Sequence, residues 1–123
     1  MTQQARATGK RILLADDDAA ARQSLSLLLK IDRHTVVEAA NGTEALDLFT
    51  KEPFDLVIVD YAMPVMQGNE LAAKIKRLAP TQPILMVTAY FEKLVDTTIQ
   101  VDATLSKPFA VEELRQVVAR LAG

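Results

Sequence analysis

Leu56-Val57-Ile58-Val59 is an unbroken apolar run rich in β-branched residues, and Asp60 ends it abruptly. Such a run suits a strand covered on both faces, because a half-exposed strand would alternate apolar with polar residues. Beyond Asp60 the strand cannot easily go on: Pro64 has no N–H to give a sheet and Gly68 frees the backbone. The chain must turn over the sheet edge there, which leaves a carboxylate at the rim of a core. Taken alone, an Asp in that position reads as a turn-starting or helix-capping residue. The rest of the chain argues for more.

Four further apolar runs punctuate the sequence. Ile12-Leu13-Leu14-Ala15 ends in Asp16-Asp17-Asp18, and from Ala19 to about Lys30 the recurrence of Ala21, Leu25, Leu28 and Leu29 marks an amphipathic helix that Asp18 can cap. His34 to Glu38 reads as a short edge strand, with His34 a surface residue rather than a ligand. Asn41-Gly42 then breaks the chain before Thr43, a candidate cap for a helix carrying Ala45, Leu48 and Phe49 that Pro53 terminates. Leu71, Ile75 and Leu78 give one face of a third helix, stopped by Pro80. Pro83 to Val87 is a fourth strand ending in Thr88-Ala89. Tyr90 to Gln100 has weak periodicity and indifferent helix formers, which predicts a short or irregular helix. Val101 to Leu105 is a fifth strand running into Ser106-Lys107-Pro108, and Val111, Leu114, Val118 and Leu121 give the last helix its buried stripe.

Strand and helix alternate five times, which implies an α/β sandwich around a parallel sheet with right-handed crossovers. At 123 residues, half of them apolar, the chain suffices for one such domain and not for two. Residues 1–9 are polar and small and read as a loosely ordered arm, leaving 10–123 as the domain. A formal charge of -2 gives no basic footprint for direct nucleic-acid binding. With no Cys there is no disulfide or thiolate metal site. No segment resembles a signal peptide or a membrane span, so the expected location is cytoplasmic, with no membrane partner.

In parallel sheets of this kind ligands bind at the carboxyl ends of the strands. Asp16, Asp17, Asp60, Thr88 and Lys107 each fall just after an apolar run, so one topological rule gathers all five at one end of the molecule. Three converging carboxylates repel one another, which raises a pKa or recruits a cation, and oxygen-only ligands suit Mg²⁺. Asp17 and Asp60 are then the direct ligands, with Asp16 positioning a bound water. Lys107 adds a point charge suited to a phosphoryl oxygen and Thr88 a hydroxyl donor. Together these are parts for phosphoryl transfer to a carboxylate nucleophile.

In this order and spacing, four pieces resemble the receiver domain of the two-component response regulators over about residues 10 to 122. They are Ile12 to Asp18, Asp55 to Pro64, Val87-Thr88-Ala89 and Leu105 to Phe109. The resemblance implies a five-stranded parallel sheet in a three-layer (βα)5 flavodoxin-like sandwich with strand order 2-1-3-4-5. It implies that Asp60 takes a phosphoryl group from a phosphohistidine on a sensor histidine kinase or phosphotransfer protein. Asp16 and Asp17 would hold Mg²⁺ with the backbone carbonyl of Ala62, and the Lys107-Pro108 bond would be cis. The chain would be a switch rather than an enzyme in its own right. Its output would be a downstream protein target, a fused output domain or a phosphorylation-dependent dimer.

The sequence also departs from the family pattern. Thr104 stands where a switching Tyr or Phe is usual, Gln100 replaces a Gly, and the stretch from Thr88 to Lys107 is shorter than the norm by about one helical turn. Tyr90 and Phe91 are the candidates to replace the missing aromatic, with Thr88 and Thr104, in an output surface. Val65 stands where Gly is common, which changes the loop path. A haloacid dehalogenase-type phosphatase would use Asp16 and Asp18 in a D-x-D motif, but Ala20 stands where Thr or Val is expected and no cap domain fits. A flavodoxin-type flavin module would need a Ser/Thr/Gly-rich phosphate loop where Asp16-Asp17-Asp18 would repel the phosphate. A phosphorylation-independent binding platform is disfavoured because every phosphorylation residue is present.

Overall fold

The computed structural model describes residues 8–89 and 99–123. The elements run β1 (Arg11–Ala15), α1 (Ala19–Ile31), β2 (Thr35–Ala39), α2 (Gly42–Lys51), β3 (Leu56–Asp60), α3 (Gly68–Leu78), β4 (Ile84–Thr88), β5 (Ala103–Ser106) and α4 (Val111–Ala122). The strands form one sheet in the order β2-β1-β3-β4-β5, every neighbour parallel. The expected arm and the expected irregular helix lie mainly in residues 1–7 and 90–98, outside the described residues.

Strand alternation splits the core in two. Leu13, Val57, Val59, Ile84 and Met86 face Ala45 of α2 and Leu71, Ala72 and Ile75 of α3. Ile12, Leu14, Ile58, Leu85 and Val87 face Leu25 and Leu29 of α1 and Leu114 and Val118 of α4. Central strands with apolar residues on both faces need a helix layer on each side, and this is the three-layer sandwich that the apolar runs imply.

Local details correct several expectations. Asn41, not Thr43, caps α2: its Oδ1 accepts the Glu44 N–H at 2.8 Å. Gly42 opens that helix, and Met66 packs where a side chain at 42 would stand. Asp18 caps α1 as expected, accepting from Ala20 and Ala21 at 3.0 and 3.2 Å. Leu78 is 59% exposed and Val111 37% exposed, so neither belongs to the buried stripe assigned to it. The third helix instead buries Ala72 between Leu71 and Ile75. His34 is buried, not on the surface, and its Nδ1 accepts the Lys10 N–H at 3.2 Å. Burial lowers its pKa, Asp32 opposes that and Lys10 reinforces it. The fifth strand begins at Ala103, because Asp102 turns its carboxylate back onto the Ile84 N–H and the Lys76 ammonium, both at 2.8 Å.

Candidate functional site

The strand order reverses between β1 and β3, and a crevice opens at their carboxyl ends. β1 delivers Asp16 and Asp17, β3 delivers Asp60 as its last residue, β4 ends on Thr88, and the turn after β5 brings Lys107. One oxygen from each of Asp16, Asp17 and Asp60 can be chosen so that all three lie within 4.8 Å of one another. Lys107 Nζ sits 3.5 Å from Asp16 Oδ2 and 3.7 Å from Asp60 Oδ1. A cleft of about 450 Å³ over this cluster is lined also by Ala62 and Ala89.

Backbone geometry holds each group. Asp16 is buried, and its Oδ1 accepts the Asp18 N–H at 2.9 Å. Its carbonyl accepts Arg22 Nη1 at 2.8 Å, while Arg22 Nε reaches Glu38 at 3.0 Å. Arg22 therefore ties the acidic turn to β2. Sequence reasoning passed over this positioning residue, although an Arg one helical turn after a capping Asp is a legible signal. Thr88 is fully buried, and its carbonyl accepts the Lys107 N–H at 2.8 Å, which fixes the start of the lysine turn. The Lys107-Pro108 peptide bond is cis.

The loop from Asp60 to α3 is drawn tight. The Gly68 N–H donates to the Tyr61 carbonyl at 2.9 Å, and a Cβ at Gly68 would collide with the Asp60 carbonyl oxygen. Met63 and Met66 are buried as anchors. Between them the Met66 N–H returns to the Pro64 carbonyl at 2.7 Å, placing Val65 at φ +69° with its side chain 99% exposed. The loop keeps a turn for which Gly is the easy residue, and Val65 bears the strain.

Burial pushes the Asp60 carboxyl up from its ordinary 3.8 to about 6, against the Lys107 ammonium, with Asp16 and Asp17 adding to the rise. Among the described residues, three carboxylates beside one ammonium leave the cluster short of positive charge. An all-oxygen donor set at this spacing fits a hard divalent cation that keeps part of its water shell. Thr104 is half-buried in β5, in register with Met86. Tyr90 and Phe91 lie outside the described residues.

A family model of the response regulator receiver domain matches residues 12–119. The response regulator MprA of Mycolicibacterium vanbaalenii is 38% identical over 107 residues, covering 85% of this chain and 46% of that protein. The chain thus spans less than half the length of this relative. Among solved structures, the response regulator TrrA from Thermotoga maritima, in complex with Mg(2+)-BeF, superposes with a TM-score of 0.86 at 34% identity, covering 91% of this chain and 98% of that one. The Vibrio cholerae chemotaxis protein CheY4 gives 0.82 at 32% identity, covering 94% and 99%.

Proposed function

The chain belongs to the response regulator receiver domains, and on that premise we propose that it receives a phosphoryl group on Asp60 from a phosphohistidine of a sensor histidine kinase or phosphotransfer protein. The observation that supports this most is the convergence of Asp16, Asp17 and Asp60 oxygens within 4.8 Å, with the Lys107 ammonium shared between Asp16 and Asp60. A carboxylate oxygen of Asp60 attacks phosphorus in line. The new O–P bond forms as the donor's N–P bond breaks, and the departing imidazole leaves with the electron pair.

Asp17, Asp60 and the Ala62 carbonyl would hold Mg²⁺ directly, with Asp16 acting through a water. Bound there, the ion supplies positive charge to the phosphoryl oxygens. Lys107 holds one of those oxygens as a point charge, releasing its grip on the free carboxylates. Thr88 contacts the product through its hydroxyl. Because the Asp60 pKa is near 6, the nucleophile is mostly ionised at neutral pH and becomes protonated below that value.

Phosphorylation then biases a protein-interaction surface, with Thr88, Tyr90, Phe91 and Thr104 as the candidate switch and output residues. The greater length of the curated relatives is compatible with a fused output domain. The setting is cytoplasmic, and among the described residues no helix is long and apolar enough to cross a membrane.

Mg²⁺ binding tests the ligand set. A cation that binds only the native state stabilises it by about 2.7 kcal/mol at a hundredfold excess over its dissociation constant. We expect Mg²⁺ to raise the melting temperature of the wild type and to do so much less in Asp17→Asn. Equal shifts in the two proteins would overturn the assignment.

A further inference from the structure

Continuous with the acid cluster, the surface sinks into a cavity of about 500 Å³ whose apolar part the phosphoryl-transfer reading does not use. It lies between α1 and the Pro108-Phe109 turn, floored by Leu14, Ile58 and Val87, with Asp16, Asp60 and Lys107 at one end. The opening exists because α1 presents small side chains, Ala21 and Ser24, one turn above Leu25 and Leu28. From Ala21 to Leu28 the trough runs roughly 10 Å along the helix, at about 1.5 Å per residue. Its volume lies within the range of small-molecule sites, about 300 to 1,000 Å³, and it has the usual make-up of apolar walls with a few convergent polar groups.

We propose that this trough is a binding site for an apolar amine: a ring or chain about 10 Å long lying against Ala21, Leu28 and Phe109, with its ammonium among the carboxylates of Asp16 and Asp60. The head group follows from charge. Lys107 already stands 3.5 and 3.7 Å from those two acids, and among the described lining residues two carboxylates face that one ammonium, with Asp17 close beside them. An added cation is therefore attracted and an added anion repelled. Among the described lining residues a carboxylate or phosphate head has only Lys107 as a cationic partner, in competition with the acids that Lys107 already meets. The apolar body follows from the walls, which an extended polyamine could not use.

The ammonium would occupy the oxygens assigned to Mg²⁺, so the ligand opposes metal binding and hence phosphorylation of Asp60. That antagonism rests on the metal-site reading given above; the binding itself does not. It makes the trough an inhibitory input to the switch, set by the small residues at 21 and 24.

Calorimetric titration of the metal-free protein with 4-phenylbutylamine at pH 7.5 tests the site, with 4-phenylbutyrate and 1,4-diaminobutane as controls. The amine should bind saturably and both controls roughly tenfold more weakly or worse, since one lacks the cationic head and the other the apolar body. Ser24→Leu fills the trough from an exposed position on α1 and Ala21→Leu from a partly buried one, and each should weaken the amine roughly tenfold. Ser24→Leu, which lies outside the cleft over the acids, should leave Asp60 labelling by acetyl phosphate intact, and Mg²⁺ should raise the amine's apparent dissociation constant in the wild type. Equal binding of amine and acid, equal binding of the diamine, or indifference to both fillings would each overturn the proposal. The metal-free comparisons decide the trough, whereas labelling of Asp60 decides the phosphoacceptor.

Discussion

Asp60→Asn should make the metal-free protein more stable at neutral pH. The carboxyl moves from an ordinary 3.8 to about 6 in the folded state, so between those values the native chain binds more protons than the unfolded one. Stability then falls as pH rises through that window, the reverse of a salt-bridged acid. At about 1.4 kcal/mol per tenfold change in the proton equilibrium, the full penalty above pH 7 is about 3 kcal/mol. The carboxylate is partly open to water, which screens it, and about half of that, ~1.5 kcal/mol, is the expected size. Asn removes the charge and keeps the shape. Urea unfolding in EDTA should place Asp60→Asn about 1.5 kcal/mol above wild type at pH 7.5, about 0.8 at pH 5 and a few tenths near pH 4, with unchanged slopes. His34, whose pKa burial lowers, acts in the opposite sense in both proteins and cancels in the difference. A variant no more stable than wild type at pH 7.5, or a gain that persists at pH 4, would refute the reasoning.

Two other substitutions probe the frame around the site. Arg33 closes α1 at φ +68°, with its N–H on the Lys30 carbonyl at 2.9 Å and the His34 N–H on that of Leu29 at 3.2 Å; this is a left-handed position that Gly fills without strain, and Arg33→Gly should add about 0.5–1 kcal/mol in urea unfolding. Gly68→Ala forces a Cβ against the Asp60 carbonyl oxygen; it should cost about 2–3 kcal/mol by the same measurement and weaken Mg²⁺-dependent stabilisation, because the loop carrying Ala62 must move.

The sheet was legible because buried parallel strands leave short apolar runs, and the candidate site was legible because four of those runs break off at a carboxylate, a hydroxyl or, just beyond, a lysine. Asp16, Asp17, Asp60, Thr88 and Lys107 needed only strand ends and a topological rule. What escaped depends on neighbours distant in sequence. Leu78 fits the helical period yet lies beyond the reach of the sheet. His34 looked like an edge residue but is covered where β1 and β2 begin. Asn41 rather than Thr43 caps the helix because its side chain reaches the Glu44 N–H, with Gly42 the first helical residue. Val65 stood out in the sequence as a replacement for Gly, but the expected change of loop path did not follow: the turn is kept at φ +69°, and the trough beside Ala21 depends on how helix and sheet meet, which no local pattern announces.

The most direct test of the central claim is the intact mass of the protein after incubation with acetyl phosphate and Mg²⁺, followed by peptide mapping of the labelled chain. One phosphoryl group should be gained, on the peptide containing Asp60, and none should be gained by Asp60→Asn or in EDTA. A phosphoryl group that persists in Asp60→Asn, or that maps to another residue in the wild type, would contradict the account.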